Sequence, residues 1–366
     1  MIHHLQLGTN LDNVYQKMKE KLMERITEDE MLPLYRQLCE SLNWIEDEVL
    51  VEKLQAANAE QLKILDEKIE DATENFGDSE IREALLSKAN YYCKIGNRKL
   101  AVESYEVVFD KTIGAGGRLD AILSLIRIGL FYGDMELTKK NVAKAKEELE
   151  KGGDWERRNK LKVYESVQLM MCRHFKEAAL LLLDSISTFT ATELMSFQSF
   201  IFYVVILSMV ALDRPTLRSK VIYAPEVLQV VAEDETLKEF LQSFFHCKYL
   251  RFMQNLVPIS KRVKENRYMG PHYLYYIRSI RLRAYAQFLE PYKSVTLENM
   301  ASSFGVSNVF IEREVASFIA SGKLNCKIDR VNGVVESNNP DARNKLYQQI
   351  IKQGDVLLNR VQRLSR

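Results

Sequence analysis

Residues 297–337 read LENMASSFGVSNVFIEREVASFIASGKLNCKIDRVNGVVES, and this stretch decides the fold. Leu297, Met300, Ala301 and Phe304 recur as one face of a short helix. Gly305 ends that helix, Val306 turns inward, and Ser307 stands at an N-cap position. The second helix carries Val309, Ile311, Val315, Phe318 and Ile319, so the pair reads as a helix-turn-helix. Leu324, Cys326 and Ile328 then alternate with period two. Asn332-Gly333 is the preferred two-residue hairpin loop because both positions tolerate positive φ, and Val334 and Val335 open the return strand. A helix-turn-helix followed by a β-hairpin is a winged helix. Alternation places Leu324, Cys326, Ile328 and Val335 on the core side and turns Lys327, Asp329 and Glu336 outward. Those three are candidate protein-interaction residues on the edge of the wing. A DNA reader would present basic or amide side chains from the second helix. Ser307–Ser321 offers only Glu312, Arg313 and Glu314, net −1, which predicts a protein-interaction module instead.

Downstream of Pro340 the pattern predicts a last helix running to Arg366. Leu346, Ile350, Leu357, Val361 and Leu364 share one face, with Gln353 at the vacant step. Lys352, Asp355, Asn359 and Arg366 lie opposite. A single helix of this length is marginal in water, so it must dock. Docking on the chain's own solenoid and joining terminal helices of other subunits both stay open. The heptad-like spacing favours the second, making the five apolar residues candidate interaction residues.

Upstream, residues 259–290 hold Lys261, Arg262, Lys264, Arg267, Arg278, Arg281 and Arg283 against Glu265 and Glu290, a net +5. Tyr268, Tyr273, Tyr275, Tyr276 and Tyr285 interleave with them. Basic residues among aromatics suit RNA, and equally suit long polar arms over packed rings at a protein interface. Further back, Ala89, Tyr92, Gly96, Ala101 and Tyr105 match part of a tetratricopeptide-type helix pair, with Gly96-Asn97 as its turn. Gly133-Asp134 is the next turn, with Val142 and Ala145 behind it. A degenerate third unit runs through His174-Phe175 and Ala178-Ala179. Such units bury their apolar faces only by stacking. Gly114-Ala115-Gly116-Gly117 lacks the strand and the Gly-Lys-Ser/Thr of a phosphate loop and reads as an inter-helix connection. Gly152-Gly153-Asp154 reads as a helix stop with an Asp N-cap. Leu194–Leu212 is uncharged, but its Ser and Gln residues favour a helix buried on all sides over a membrane span. Leu62, Leu65, Ile69, Ala72 and Phe76 form a helical stripe near the N-terminus. Glu46–Glu80 carries twelve acids against three lysines, suiting a solvated face or a dock for a basic partner. Met1–Asn10 resembles neither a signal peptide nor a transit peptide.

The expected fold is mostly α. N-terminal helices cover 1–78, and a right-handed tetratricopeptide-like solenoid covers 79–290. The winged helix covers 291–337 and the C-terminal helix 338–366. Glycine is 15 and proline 7 of 366 residues, few enough turn-formers for a helical protein. The net charge of +1 is too low for binding driven by phosphate attraction. Cys39, Cys93, Cys172, Cys247 and Cys326 form no Cys-x-x-Cys and are expected as buried small hydrophobes of a reducing compartment. His3, His4, His174, His246 and His272 compose no metal motif, and no Gly-x-Ser-x-Gly elbow is present. No catalytic constellation, metal or cofactor is expected.

Helical repeats, a winged helix and a terminal helix, in that order, resemble the PCI family of proteasome-lid, signalosome and translation-initiation-factor scaffold subunits. Within it the chain looks most like a proteasome-lid subunit. The likeness is carried by GGDWERRN at 152–159, FKEAA at 175–179, DSISTFT at 184–190 and KVI at 220–222. It continues through GPHY at 270–273, MASSFGV at 300–306, LNCKIDRVNG at 324–333 and QGDVLL at 353–358. The resemblance implies a non-catalytic scaffold in cytoplasm and nucleus. Its implied partners are other PCI subunits of the proteasome lid and the ATPase ring of the base, with no membrane and no nucleic acid. A scaffold like the signalosome's subunit 1 and an RNA-binding PCI module remain the alternatives.

Overall fold

The computed structural model describes residues 12–152, 154–337 and 342–364. The expectations for Met1–Asn10, Gly153, Pro340 and Arg366 lie outside them. The chain forms two compact units. One comprises the described residues up to Val230 together with Arg262–His272; the other comprises Val231–Lys261 and those from Tyr273 onward.

In the first unit, α1 (Asp12–Glu28), α2 (Leu32–Leu42) and α3 (Glu48–Asn75) come first. Leu22, Ile26, Tyr35, Leu38 and Leu54 form their core. Helix α3 carries the acidic run and buries little besides Leu54, Asn58 and Ala72. Phe76 drops out of its stripe because the helix stops at Asn75, leaving Phe76 extended and exposed. Three hairpins follow: α4 (Asp78–Ile95) with α5 (Arg98–Lys111), α6 (Ala115–Tyr132) with α7 (Met135–Glu150), and α8 (Trp155–Met171) with α9 (Phe175–Asp184). Ala89, Tyr92, Ala101, Tyr105, Val142, Ala145, Ala178 and Ala179 are all buried, as the repeat pattern requires. Gly114 is the N-cap of α6, and Gly116 and Gly117 lie in its first turn. Asp154 occupies the N-cap of α8 but does not cap it; its carboxylate lies 3.7 Å from Arg157 instead. Helix α10 (Phe197–Ala211) is buried continuously from Phe200 to Met209. No helix of the described residues is long and apolar enough to cross a membrane.

One device ends many of these helices. A residue in the left-handed region lets the next backbone N–H reach the carbonyl five residues back. It occurs at Gly96, where the Asn97 N–H donates to Tyr92 O, and at Gly133, where Asp134 donates to Gly129 O. The following side chain then caps the next helix: Asn97 accepts from the Leu100 N–H, and Asp134 from those of Glu136 and Leu137. The two turns are tied together, for Tyr132 Oη donates to Gly96 O at 2.7 Å and Arg98 pairs with Asp134. The third hairpin has Arg173 at the same place, with φ 67. This is why the third unit reads as degenerate.

The second unit holds α11 to α15 only in part. Helix α11 (Arg214–Leu217) and much of α12 (Pro225–Glu233) precede it, and α14 (Tyr249–Glu265) reaches past Lys261. Helix α13 (Glu235–Phe245) and α15 (Tyr273–Leu289) lie wholly within it. They are followed by β1 (Ser294–Thr296), α16 (Leu297–Phe304), α17 (Asn308–Ala320), β2 (Cys326–Asp329), β3 (Val334–Ser337) and α18 (Ala342–Leu364). The sequence reading's boundary at 290/291 thus falls inside a compact unit. The reason is aromatic packing: Phe304 of α16 meets Tyr249, Tyr285 and Phe288 at ring separations of 4.8, 4.9 and 5.5 Å. The sheet is antiparallel with order β1-β3-β2.

The two glycine turns separate backbone strain from crowding. A Cβ on Gly133 would meet nothing within 4 Å, whereas one on Gly96 would lie 2.7 Å from Leu34 Cβ. We expect Gly133→Ala to cost about 1 kcal/mol from left-handed strain alone. Gly96→Ala should cost clearly more, through the added clash. Equal losses in chemical denaturation of the two variants would contradict this account.

Candidate protein-interaction site

Helix α17 is where a DNA-binding winged helix would present its readers. Here Ile311, Val315 and Phe318 face inward, and Val309 does not join them. At 100° per residue Val309 sits about 200° from Ile311, so it is exposed beside the partly exposed Phe310. Glu314 is turned back into the unit. It accepts from Tyr285 Oη at 2.7 Å and pairs with Arg281 at 2.6 Å. Burial and this carboxylate push the Tyr285 hydroxyl far above the ordinary tyrosine range, so it remains a donor. Glu312 pairs with Arg330 of the wing at 2.9 Å. The acids that argue against a nucleic-acid reader are thus structural partners.

The basic segment is also engaged internally. In the second unit, Arg278 donates to Ser317 Oγ at 2.7 Å and lies over the Phe318 ring, while Arg281 lies over Phe310. In the first unit, Arg262 stacks over Phe202 at 4.1 Å, and Arg267 covers Phe131 and donates to its carbonyl. Tyr276 and Tyr285 are completely buried. Four of the guanidiniums and two of the rings that suited RNA therefore hold the chain's own helices together.

The wing leaves β2 as one edge of the sheet. Cys326 and Val335 are buried and Leu324 with them; Ile328, opposite Val335, is half-buried. Lys327 and Glu336 face each other directly across the strands, and both are exposed. Asp329 is used differently. Its carboxylate accepts from the backbone N–H groups of Val331 and Asn332, at 2.9 and 3.3 Å, and from Asn332 Nδ2 at 2.7 Å. The hairpin loop is consequently four residues, 330–333, with only Gly333 at positive φ, not the two-residue Asn-Gly loop the motif predicts. The sequence signal missed was Asp three residues before Asn, an Asx-type turn.

Helix α18 is exposed on every side where its side chains are described. Leu346, Ile350, Leu357, Val361 and Leu364 form its stripe as expected. Tyr347, Ile351 and Leu358, which the heptad reading passed over, widen it to roughly 140° at 100° per residue. These eight residues are between 54% and 87% exposed. A seam that wide exceeds the a/d stripe of a two-stranded coiled coil and suits contact with more than one helix.

The cysteines are all free: Cys39 and Cys326 are buried as expected, whereas Cys93 is exposed. Among the described residues no group of three or more His, Cys, Asp or Glu could hold a metal ion.

Comparison with known proteins matches residues 47–220 to the family described as 26S proteasome subunit RPN7 and residues 241–339 to the PCI domain. Residues 347–366 match a separate signature, the RPN7/PSMD6 C-terminal helix. The 26S proteasome non-ATPase regulatory subunit 6 of Dictyostelium discoideum is 48% identical over 346 residues, 94% of this chain and 91% of the relative. The chain belongs to the RPN7 family of proteasome regulatory subunits. The Arabidopsis thaliana homologue of subunit 6 is likewise 48% identical, over 96% of this chain and 90% of its own length. RPN7 of Saccharomyces cerevisiae is 36% identical over 94% and 86%. The PCI match begins at residue 241, so this RPN7-family chain counts the helices beneath its winged helix as part of the domain, in line with the aromatic packing on Phe304.

Two outcomes follow for the winged helix. Tyr285→Phe removes a buried hydrogen bond to a carboxylate and should cost about 1.5–3 kcal/mol in denaturant unfolding. Asp329→Ala should speed amide exchange at Val331 and Asn332 without unfolding the unit. The hydrogen bonds from Asn332 and Val331 hold the Asp329 carboxyl below its ordinary value. The restraint is therefore complete above the ordinary aspartate range and is lost as pH falls through the lowered folded-state value. Exchange at these amides, corrected for intrinsic rates, should rise on acidification in wild type and stay flat in Asp329→Ala.

Proposed function

We infer that the chain is a non-catalytic scaffold subunit of the lid of the proteasome regulatory particle, acting in cytoplasm and nucleus to support ubiquitin-dependent degradation. The winged helix pairs with neighbouring PCI subunits through the β2 edge that carries Lys327; Glu336, which the sequence reading also put on the edge, lies on the central strand β3 and flanks Lys327 on the outward face. The terminal helix enters a bundle with terminal helices of other subunits, and the assembled subunit also touches the ATPase ring. The observation that carries this reading is α18, a 23-residue amphipathic helix whose apolar face no described part of the chain covers. Each leucine buried there on assembly contributes roughly 1.5–3 kcal/mol.

Deleting residues 342–366 should leave the melting temperature of the isolated subunit nearly unchanged while stopping its incorporation into the lid. A large fall in melting temperature with incorporation intact would overturn the bundle role. For the wing, Lys327→Gln is preferable to charge reversal, which would set two carboxylates directly opposite each other. It should weaken co-purification of other lid subunits at an unchanged melting temperature. Mass spectrometry of proteins co-purifying with the wild-type chain should find ATPase-ring subunits; cullins in their place would point to the signalosome.

A further inference from the structure

A cleft of about 750 Å³ opens within the first unit, bounded by α1, α2, α4, α5 and α6 and by the segments 193–194 and 265–268. It lies outside the surfaces assigned above to assembly. Its size is that of a small-ligand site, and its wall combines the ring of Tyr92 with the polar groups of Asn90 and Ser124. Five cations line it, Arg25, Lys94, Arg98, Arg127 and Arg267, against two acids, Glu193 and Glu265.

Three of the cations already have partners. Lys94 pairs with Asp29 at 3.3 Å, Arg98 pairs with Asp134, and Arg267 is held at Phe131. Glu193 in turn faces Lys160, outside the cleft, at 3.8 Å. Arg25 and Arg127 have no carboxylate within ion-pair reach among the described residues. Arg127 is the sole charge of α6 beyond Asp120, in a stretch otherwise apolar apart from Ser124 and Tyr132. It is exposed to the cleft and spends one nitrogen on Ser124 Oγ at 2.8 Å, leaving the rest of its fork unused. Asn90 Oδ1 accepts from Tyr105 Oη at 2.5 Å, so its amide nitrogen remains available as a donor.

Two guanidiniums without a carboxylate partner in one concavity raise its local positive potential, and their planar forks match phosphate and carboxylate oxygens. We propose that this cleft binds a compact, multiply charged oxyanion, with Arg127 as the central ligand and Arg25 and Asn90 beside it. A polyphosphate and a small polycarboxylate share the required chemistry. The extended charge of the first and the smaller span of the second distinguish them by affinity.

The test is calorimetric titration of the full-length chain at low ionic strength with sodium tripolyphosphate and, separately, citrate. At least one should bind with a dissociation constant on the order of 0.1 mM. The tighter of the two identifies the class of oxyanion. Arg127→Gln should weaken that binding about tenfold, the loss of one charge-assisted fork. Arg25→Gln should weaken it by a smaller factor. Arg36→Gln, an exposed arginine of α2 outside the cleft, should bind as wild type does. The exposed positions of all three arginines make loss of folding an unsuitable explanation, and an unchanged melting temperature verifies this. Absence of binding by both anions at millimolar concentration, or equal binding by wild type and Arg127→Gln, would overturn the proposal.

Discussion

Most helices of this chain carry an apolar stripe on one side and cannot bury it alone. The next helix must therefore return against the same stripe within a residue or two. The left-handed residue at the helix end is the constraint that makes this possible, since it reverses the chain while satisfying the carbonyls of the last turn. The arrangement recurs at Glu30, Asn43, Gly96, Gly133, Arg173, Cys247, Gly305 and Gly322, each time with the same five-residue backbone hydrogen bond. Where the residue is not glycine, about 1–2 kcal/mol of strain has to be offset by contacts. Arg173 donates to His272 Nδ1 at 3.0 Å, and Cys247 accepts from Gln287 Nε2 at 3.0 Å. Both turns are thereby fastened to segments distant in sequence but within the same unit.

In the second unit the same logic produces a winged helix that is tied inward. Phe304, placed by the turn at Gly305, is the ring on which Tyr249, Tyr285 and Phe288 converge. Tyr285 then positions the hydroxyl that Glu314 accepts, and Arg281 completes the pair. The helix that would otherwise enter a nucleic-acid groove has its carboxylates committed to neighbours in its own unit. The sheet edge at β2 and the unpaired helix α18 stay open. A free strand edge and an exposed amphipathic helix are the kinds of surface to which a further strand or helix can add, and neither needs reactive groups to do so.

The division of labour between charge and packing is similar in the first unit. A composition with nearly balanced charge hides local excess: the acids concentrate on α3, and the cations concentrate along 259–290 and in the cleft of the repeats. Arginine stacking on Phe131 and Phe202 spends part of that cationic excess on holding helices together, and only geometry tells those guanidiniums from the ones left unpaired.

Periodicity and turn chemistry in the sequence determined the helical repeats, the helix-turn-helix, the alternation of the wing and the terminal stripe, because each depends on residues close in the chain. Gly96 and Gly133 announced their turns; Arg173 and Cys247 could not, since an ordinary side chain in the left-handed region leaves no local signature. Asp329 and Lys327 look alike as outward polar residues of a strand, yet one is consumed by its own loop and the other stays free. That difference arises from the four-residue loop, which the sequence alone did not specify. Only the tertiary structure decided that α15 packs with the winged helix, that Val309 faces out, that Arg262, Arg267, Arg278 and Arg281 cover rings, and that the described side chains of α18 stand exposed. Each of these depends on which distant residue arrives within a few ångströms, and spacing along one chain does not encode that distance.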